Sequence, residues 1–185
     1  MKKTILSMLA ALSIGSSTLC ADNAGFYIGG GYAYTTVEFS ASSDWLDLPT
    51  FDADTDSVIL LAGFDFNDYI GVEGRYYWNI TSGVKYEYSP FGLLDDYEAQ
   101  SLALYAKPQY NLDVISFYAL LGFTMNSYTA LAQSGDETIF SWGLGGKLIL
   151  TESFGIFVDY TDLGEGDVIL TTGLSSWNFG LTYKF

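Results

Sequence analysis

Apolar and polar residues alternate along most of the chain beyond residue 24. The closing segment is the clearest case. Trp177, Phe179, Leu181, Tyr183 and Phe185 take the odd positions, with Asn178, Gly180, Thr182 and Lys184 between them. A period of two places these sets on opposite faces of a strand. The opening segment behaves alike: Phe26, Ile28, Gly30, Tyr32 and Tyr34 share one face, and Tyr27, Gly29, Gly31 and Ala33 the other. The pattern predicts strands over residues 26–38, 57–66, 70–79, 98–110, 114–126, 138–150, 154–162 and 175–185. The connections Asn67-Asp68-Tyr69, Asn111-Leu112-Asp113 and Thr151-Glu152-Ser153 are short. Those over 39–56, 80–97, 127–137 and 163–174 are long, and the two kinds alternate strictly. This predicts an all-β fold, an eight-stranded antiparallel up-and-down transmembrane barrel with its long loops at one end. A spanning strand needs about 9–11 residues, so eight of them use roughly half the chain.

One face is apolar throughout. Val58, Leu60, Ala62, Phe64 and Phe66 supply it in the second segment, and Ile70, Val72, Gly74, Tyr76 and Trp78 in the third. No charge interrupts it in the middle of a strand, where Lys or Arg would cost about 2–4 kcal/mol at the bilayer midplane. Trp78, Trp142 and Trp177 fall at the loop ends of their strands, and Tyr69, Tyr110, Tyr183 and Phe185 at the turn ends. These are two interfacial aromatic girdles. A soluble sandwich would alternate equally well but needs neither girdles nor one-sided loops.

Residues 1–21 read as a secretory signal peptide: Lys2 and Lys3, an apolar stretch from Ile5 to Ile14, then small residues ending at Ala21. The barrel is expected over residues 22–185. Composition narrows the chemistry. Seven Lys and Arg stand against 22 Asp and Glu, a formal net charge of −15, which argues against nucleic-acid binding. The absence of His removes His-based catalysis and His-ligated metals. A Ser–Lys pair would be the remaining nucleophilic arrangement, and the expected strand positions bring no Ser next to an inward Lys. We expect no enzyme activity, no cofactor and no dedicated metal site. The stretch Asp52-Ala53-Asp54-Thr55-Asp56 is superficially like a calcium loop, but it lacks the Gly and the Glu that such a loop needs.

The remaining charges fall on the inward face: Asp65, Glu73, Arg75, Lys107, Lys147, Asp159 and Lys184. Tyr77, Tyr105, Tyr118, Asn178 and Thr182 join them. Eight strands enclose just enough room for side chains, so this set reads as a rigid polar filling, with a narrow ion path as the other reading. The loops carry Asp44, Asp47, Asp52, Asp54 and Asp56, then Tyr86, Glu87, Tyr88, Phe91, Asp95 and Asp96, then Asp136 and Glu137, then Glu165 and Asp167.

The run Gly63-Phe64-Asp65-Phe66-Asn67-Asp68-Tyr69-Ile70-Gly71-Val72-Glu73, on through Tyr76-Tyr77-Trp78, resembles the second and third strands of the OmpA-like transmembrane barrel. The segments Ala99 to Lys107 and Tyr118 to Gly122 are similar to its fourth and fifth strands, and Phe179 to Phe185 to its closing strand. The resemblance implies an outer-membrane location, periplasmic termini, and a C-terminal signal at Tyr183 and Phe185 for the barrel assembly machinery. It also implies an inward charge cluster. Glu73, Lys107 and Asp159 fall on its positions, whereas Lys147 stands where the family tends to have an acid and Phe157 where it has an Arg. These departures mean that the pairing must differ from the family's, and the pairing expected is Glu73 with Lys107 and Asp159 with Lys147. The expected protein is a monomeric barrel held by outer-membrane lipid and lipopolysaccharide, with a structural and surface-exposed role and acidic loops offered to an extracellular partner. The alternatives are a small low-conductance pore and an adhesin.

Overall fold

The computed structural model describes residues 24–40, 42–43, 46–47, 51–80, 98–130, 133–168 and 170–185. Eight long strands form the body: β1 (Gly25–Ser40), β2 (Phe51–Asp65), β3 (Ile70–Asn79), β4 (Glu98–Leu112), β5 (Ile115–Ala130), β6 (Gln133–Ile149), β7 (Phe154–Val168) and β8 (Leu170–Lys184). Each pairs antiparallel with its sequence neighbours, and β1 also pairs with β8, from Tyr27 opposite Lys184 to Ser40 opposite Thr171. The sheet is thus a closed barrel without an edge. A two-residue ribbon, Ser42–Ser43 with Leu46–Asp47, decorates the first outer connection. No described helix is long and apolar enough to cross a membrane.

The alternation does what it predicts on both faces. Leu60, Leu104, Phe117, Leu121, Leu144, Val158 and Leu181 are exposed on the outside. Tyr27, Ile59, Leu61, Tyr77, Tyr105, Leu120 and Phe157 are buried inside. For a water-soluble chain such an apolar exterior would be an aggregation hazard, whereas in lipid it is the solvated face.

The strand ends differ from expectation. β5 and β6 continue to residues 130 and 133, and β7 and β8 to 168 and 170, so the expected long loops 127–137 and 163–174 are mostly hairpin. Likewise β2 starts at Phe51 inside the expected first loop. Strict alternation of short and long connections therefore fails at these two hairpins. The cause is that a ladder pairs backbone to backbone, and beyond the bilayer both faces are wet, so a strand can continue with no apolar period. The loop residues 81–97, and the side chains of Asp44, Asp47, Asp52, Asp136, Glu137, Glu165 and Asp167, lie outside the described residues, as does the signal segment 1–21. Asp54 and Asp56 are described, and they stand on a strand rather than in a loop. Asp54 accepts a hydrogen bond from Thr36 Oγ1 at 3.2 Å, and Asp56 accepts one from Tyr32.

Two backbone details shape the wall. Near the loop end, the β7–β8 register shifts between Leu174 and Ser175, so that Leu174 faces Gly164 and Ser175 faces Asp162. Leu163 is the extra residue of this bulge and turns its side chain inward, 1% exposed, while Gly164 takes a φ of 95°. At the seam, Gly31 lets β1 and β8 approach. A Cβ there would lie 2.0 Å from the Phe179 carbonyl oxygen and 2.6 Å from Gly180 Cα. Gly74 is different, because a Cβ would meet nothing closer than 3.8 Å. Gly31→Val should therefore abolish the compact, heat-modifiable band on gels of the refolded protein. Gly74→Ala should keep it, with unfolding free energy within about 0.5 kcal/mol of the parent.

Candidate functional site: the barrel lumen

The period-two register delivers the inward charges to a common interior. Asp65 closes β2, Glu73 and Arg75 are successive inward residues of β3, Lys107 is on β4, Lys147 on β6, Asp159 on β7 and Lys184 at the end of β8. Asp65, Glu73, Arg75, Lys107 and Asp159 are at most 3% exposed. Charges so deeply buried persist only when paired and hydrogen-bonded.

Arg75 is the centre. Its Nη1 and Nη2 donate to Asp159 Oδ1 and Oδ2 at 2.8 and 2.7 Å, a two-pronged fork. Its Nε donates to Glu73 Oε1 at 2.6 Å. The guanidinium also lies 5.9 Å from the ring centroids of Tyr105 and Phe157. The acceptors are then filled from other strands. Tyr118 donates its hydroxyl to Asp159 Oδ2 at 2.7 Å, and Asn178 Nδ2 donates to Asp159 Oδ1 at 2.7 Å. Tyr27 donates to Glu73 Oε2 at 2.6 Å, and Lys107 Nζ donates to the Tyr27 oxygen at 2.7 Å. Lys107 Nζ also stands 3.3 Å from Glu73 Oε2. Four strands, β3, β4, β5 and β7, together with β1 and β8 through Tyr27 and Asn178, are thereby tied across the lumen. The arrangement is a plug: ions and rings fill the middle of the cylinder, and the apolar residues Ile59, Leu61, Tyr77, Phe157 and Leu163 pack beside them.

Glu73 meets Lys107, but Asp159 pairs with Arg75 and not with Lys147. The register explains this correction. Asp159 lies opposite Gly145, and Lys147 lies opposite Phe157, one inward step nearer the turn end. Such a step is roughly 7 Å of strand. Arg75 reaches Asp159 across the barrel because the closed sheet brings β3 and β7 to face each other at that level. A second correction concerns Ser and Lys. Ser116 and Lys147 are direct cross-strand partners, against the expectation that no Ser adjoins an inward Lys. Ser116 Oγ is buried with no hydrogen-bond partner, so the two do not form an activated pair.

Below the plug the lumen opens at the turn end into a cavity of about 580 Å³, lined by Asp65, Gln109, Lys147, Thr182 and Lys184 among others. Lys184 Nζ stands 3.7 Å from Asp65 Oδ2, and Lys107 Nζ 3.8 Å from Asp65 Oδ1, distances of ion pairing rather than of hydrogen bonds. The contribution of Phe157, Tyr118 and Asn178 to holding the charges is written in the same odd–even code, but their partners could not be read from any single strand.

Outside, exposed aromatic residues gather at the two ends of the barrel. Trp142, Tyr160 and Trp177 form a chain of tilted and edge-on rings at the loop end, with centroids 6.1 and 5.4 Å apart. Trp78 is 60% exposed. At the turn end Phe154, Tyr183, Phe185 and Phe26 form another chain, with neighbouring centroids 5.0, 5.0 and 5.6 Å apart. Tyr69 and Tyr110 are exposed at the same end. The Phe185 amide donates to the Phe26 carbonyl at 3.0 Å, fastening the last residue over the seam.

Arg75→Met leaves Glu73 and Asp159 short of their main partner. It should lower unfolding stability in lipid by about 3–5 kcal/mol, measured by urea titration of tryptophan fluorescence. Adding Asp159→Asn to it should recover part of that loss.

The comparisons agree with this architecture. A family model described as "Outer membrane protein beta-barrel domain" matches residues 4–185. No curated protein matches the chain. Among solved structures, Ail, the attachment invasion locus protein of Yersinia pestis, in complex with the heparin analogue sucrose octasulfate, is similar at 21% identity and a TM-score of 0.59, covering 88% of this chain and 99% of that one. Neisserial surface protein A is similar at 18% identity and a TM-score of 0.57, covering 88% and 99%. The outer membrane protein OprG from Pseudomonas aeruginosa is similar at 20% identity and a TM-score of 0.54, covering 87% and 96%. With its closed eight-stranded wall, apolar exterior and plugged polar interior, the chain belongs to the outer membrane protein beta-barrel domain family and resides in the outer membrane.

Proposed function

We propose that the protein is a closed, non-catalytic barrel that stabilises the outer membrane and presents acidic loops at the cell surface. Its termini and short turns face the periplasm, and the loop ends face outward. The observation that carries this reading is the plug: Arg75, Glu73, Asp159, Tyr105 and Phe157 are each at most 3% exposed, so side chains fill the lumen at their level. A pore would need this filling to move as a whole. Pure protein in a planar bilayer should therefore give no stepwise current, and regular current steps would replace this reading with the pore.

The charge distribution bears on the surface partner. Beyond residue 21 the chain has five basic residues. Arg75, Lys107, Lys147 and Lys184 all point into the lumen or its turn-end mouth, and Lys85 is the one other basic residue of that stretch of sequence. The ligand in the Ail structure is a polysulfate, and a polyanion is held by Lys and Arg. This chain offers the opposite: Asp and Glu along the outer connections. Its partners on this reading are cationic surfaces, or lipopolysaccharide bridged through divalent cations, with contact by the aromatic and acidic segment around Tyr86, Tyr88 and Phe91. Sucrose octasulfate should give no binding heat with the refolded protein in detergent, and saturable heat would overturn the assignment.

A further inference from the structure

The seven inward charged side chains do not balance. Within the barrel wall Arg75, Lys107, Lys147 and Lys184 outnumber Asp65, Glu73 and Asp159 by one, while Asp68, Asp113 and Glu152 stand further out on the turns. The excess has a place. Arg75 is engaged by Glu73 and Asp159, and Lys107 by Glu73 at 3.3 Å and Asp65 at 3.8 Å. Lys184 has Asp65 at 3.7 Å. Lys147 has no carboxylate within 4.0 Å among the described residues, and its ammonium stands 5.7 Å from the centroid of the Tyr27 ring.

The surroundings of Lys147 are those of a half-built anion site. Its stem lies over Gly155, where a Cβ would come within 3.2 Å of its Cγ and Cδ and 3.0 Å of Thr182 Oγ1. Glycine there lets the side chain lie along the wall and bring its ammonium to the floor of the turn-end cavity. That cavity, about 580 Å³, also admits Lys184 and Thr182. It is roomy enough for a small solute and is open to solvent at its mouth. A sheltered ammonium with no partner is costly, and charge-assisted hydrogen bonds to an anion relieve that cost. Asp68, Asp113 and Glu152 line the mouth from the turns. They oppose an extended polyanion more than a compact one, because exposed charges are screened over roughly 8–10 Å at physiological salt.

From this juxtaposition we infer that the turn-end vestibule binds a small oxyanion, of phosphate or carboxylate type, held between Lys147 and Lys184. The ligand supplies the ion-pair partner that Lys147 lacks, and, on the orientation proposed above, it enters from the periplasmic side without crossing the plug.

The test is a titration of the whole refolded barrel in micelles, followed by amide and lysine side-chain NMR. Sodium phosphate is one arm and sodium acetate the other, with pH fixed on the mildly acidic side and ionic strength held by a bulky sulfonate salt. Saturable shifts at Lys147, Gly155 and Thr182 are expected in at least one arm. The phosphate arm alone would assign a phosphoryl group, and the acetate arm alone a carboxylate. Lys147→Met should weaken the apparent affinity roughly tenfold or more, the loss of one charge-assisted contact. Lys147→Arg should retain binding. Lys147→Gln replaces the Met variant if that one does not give the heat-modifiable band. No saturable shift in either arm would overturn the inference, as would saturation in Lys147→Met equal to that of the parent.

Discussion

The constraint on which everything else depends is that hydrocarbon offers no hydrogen bonds. A strand placed in it must have both rows of backbone groups paired by other strands, so the sheet has to close. The β1–β8 ladder from Tyr27–Lys184 to Ser40–Thr171 is that closure. Closing the cylinder has a price at the axis. Eight strands leave an interior too narrow for bulk water and too polar in sequence for a hydrophobic core. The glycines at the seam, the aromatic belts and the lumen ion network all answer one of these two demands.

The interior is solved by reciprocity. Arg75 needs carboxylates, and Glu73 and Asp159 supply them. Those carboxylates have lone pairs to spare, which Tyr27, Tyr118, Asn178 and Lys107 fill from four further strands. A network of this kind is costly if any member is missing and rigidifying if all are present. On the function proposed above, the lumen is a structural element rather than a passage. That proposal leaves function to the two ends, the acidic outer connections and the turn-end vestibule.

Much of this was legible in the sequence. A side chain in a strand has only two directions, so the odd–even code sorted Asp65, Glu73, Arg75, Lys107 and Asp159 inward and Leu60, Leu121 and Val158 outward. Trp177 and Tyr183 were readable as outward-facing for the same reason. What was not legible depends on relations between strands. Asp159 finds Arg75 rather than Lys147 because pairing across a lumen is set by stagger and curvature, which no single strand records. Ser116 faces Lys147 through a register that hairpin turns determine. The outer strand ends were missed because the alternation that marks a strand vanishes once both its faces meet water. The bulge at Leu163 had only Gly164 as a local hint.

Amide hydrogen exchange of the refolded protein in lipid nanodiscs tests the central claim most directly. If the cylinder is closed, amides along the β1–β8 seam, such as those of Tyr32, Ala33, Asn178 and Phe179, will be protected as strongly as those in the middle of β3 and β4. If the sheet is an open one with β1 and β8 as edges, half of the seam amides will exchange orders of magnitude faster than their neighbours, and the account fails.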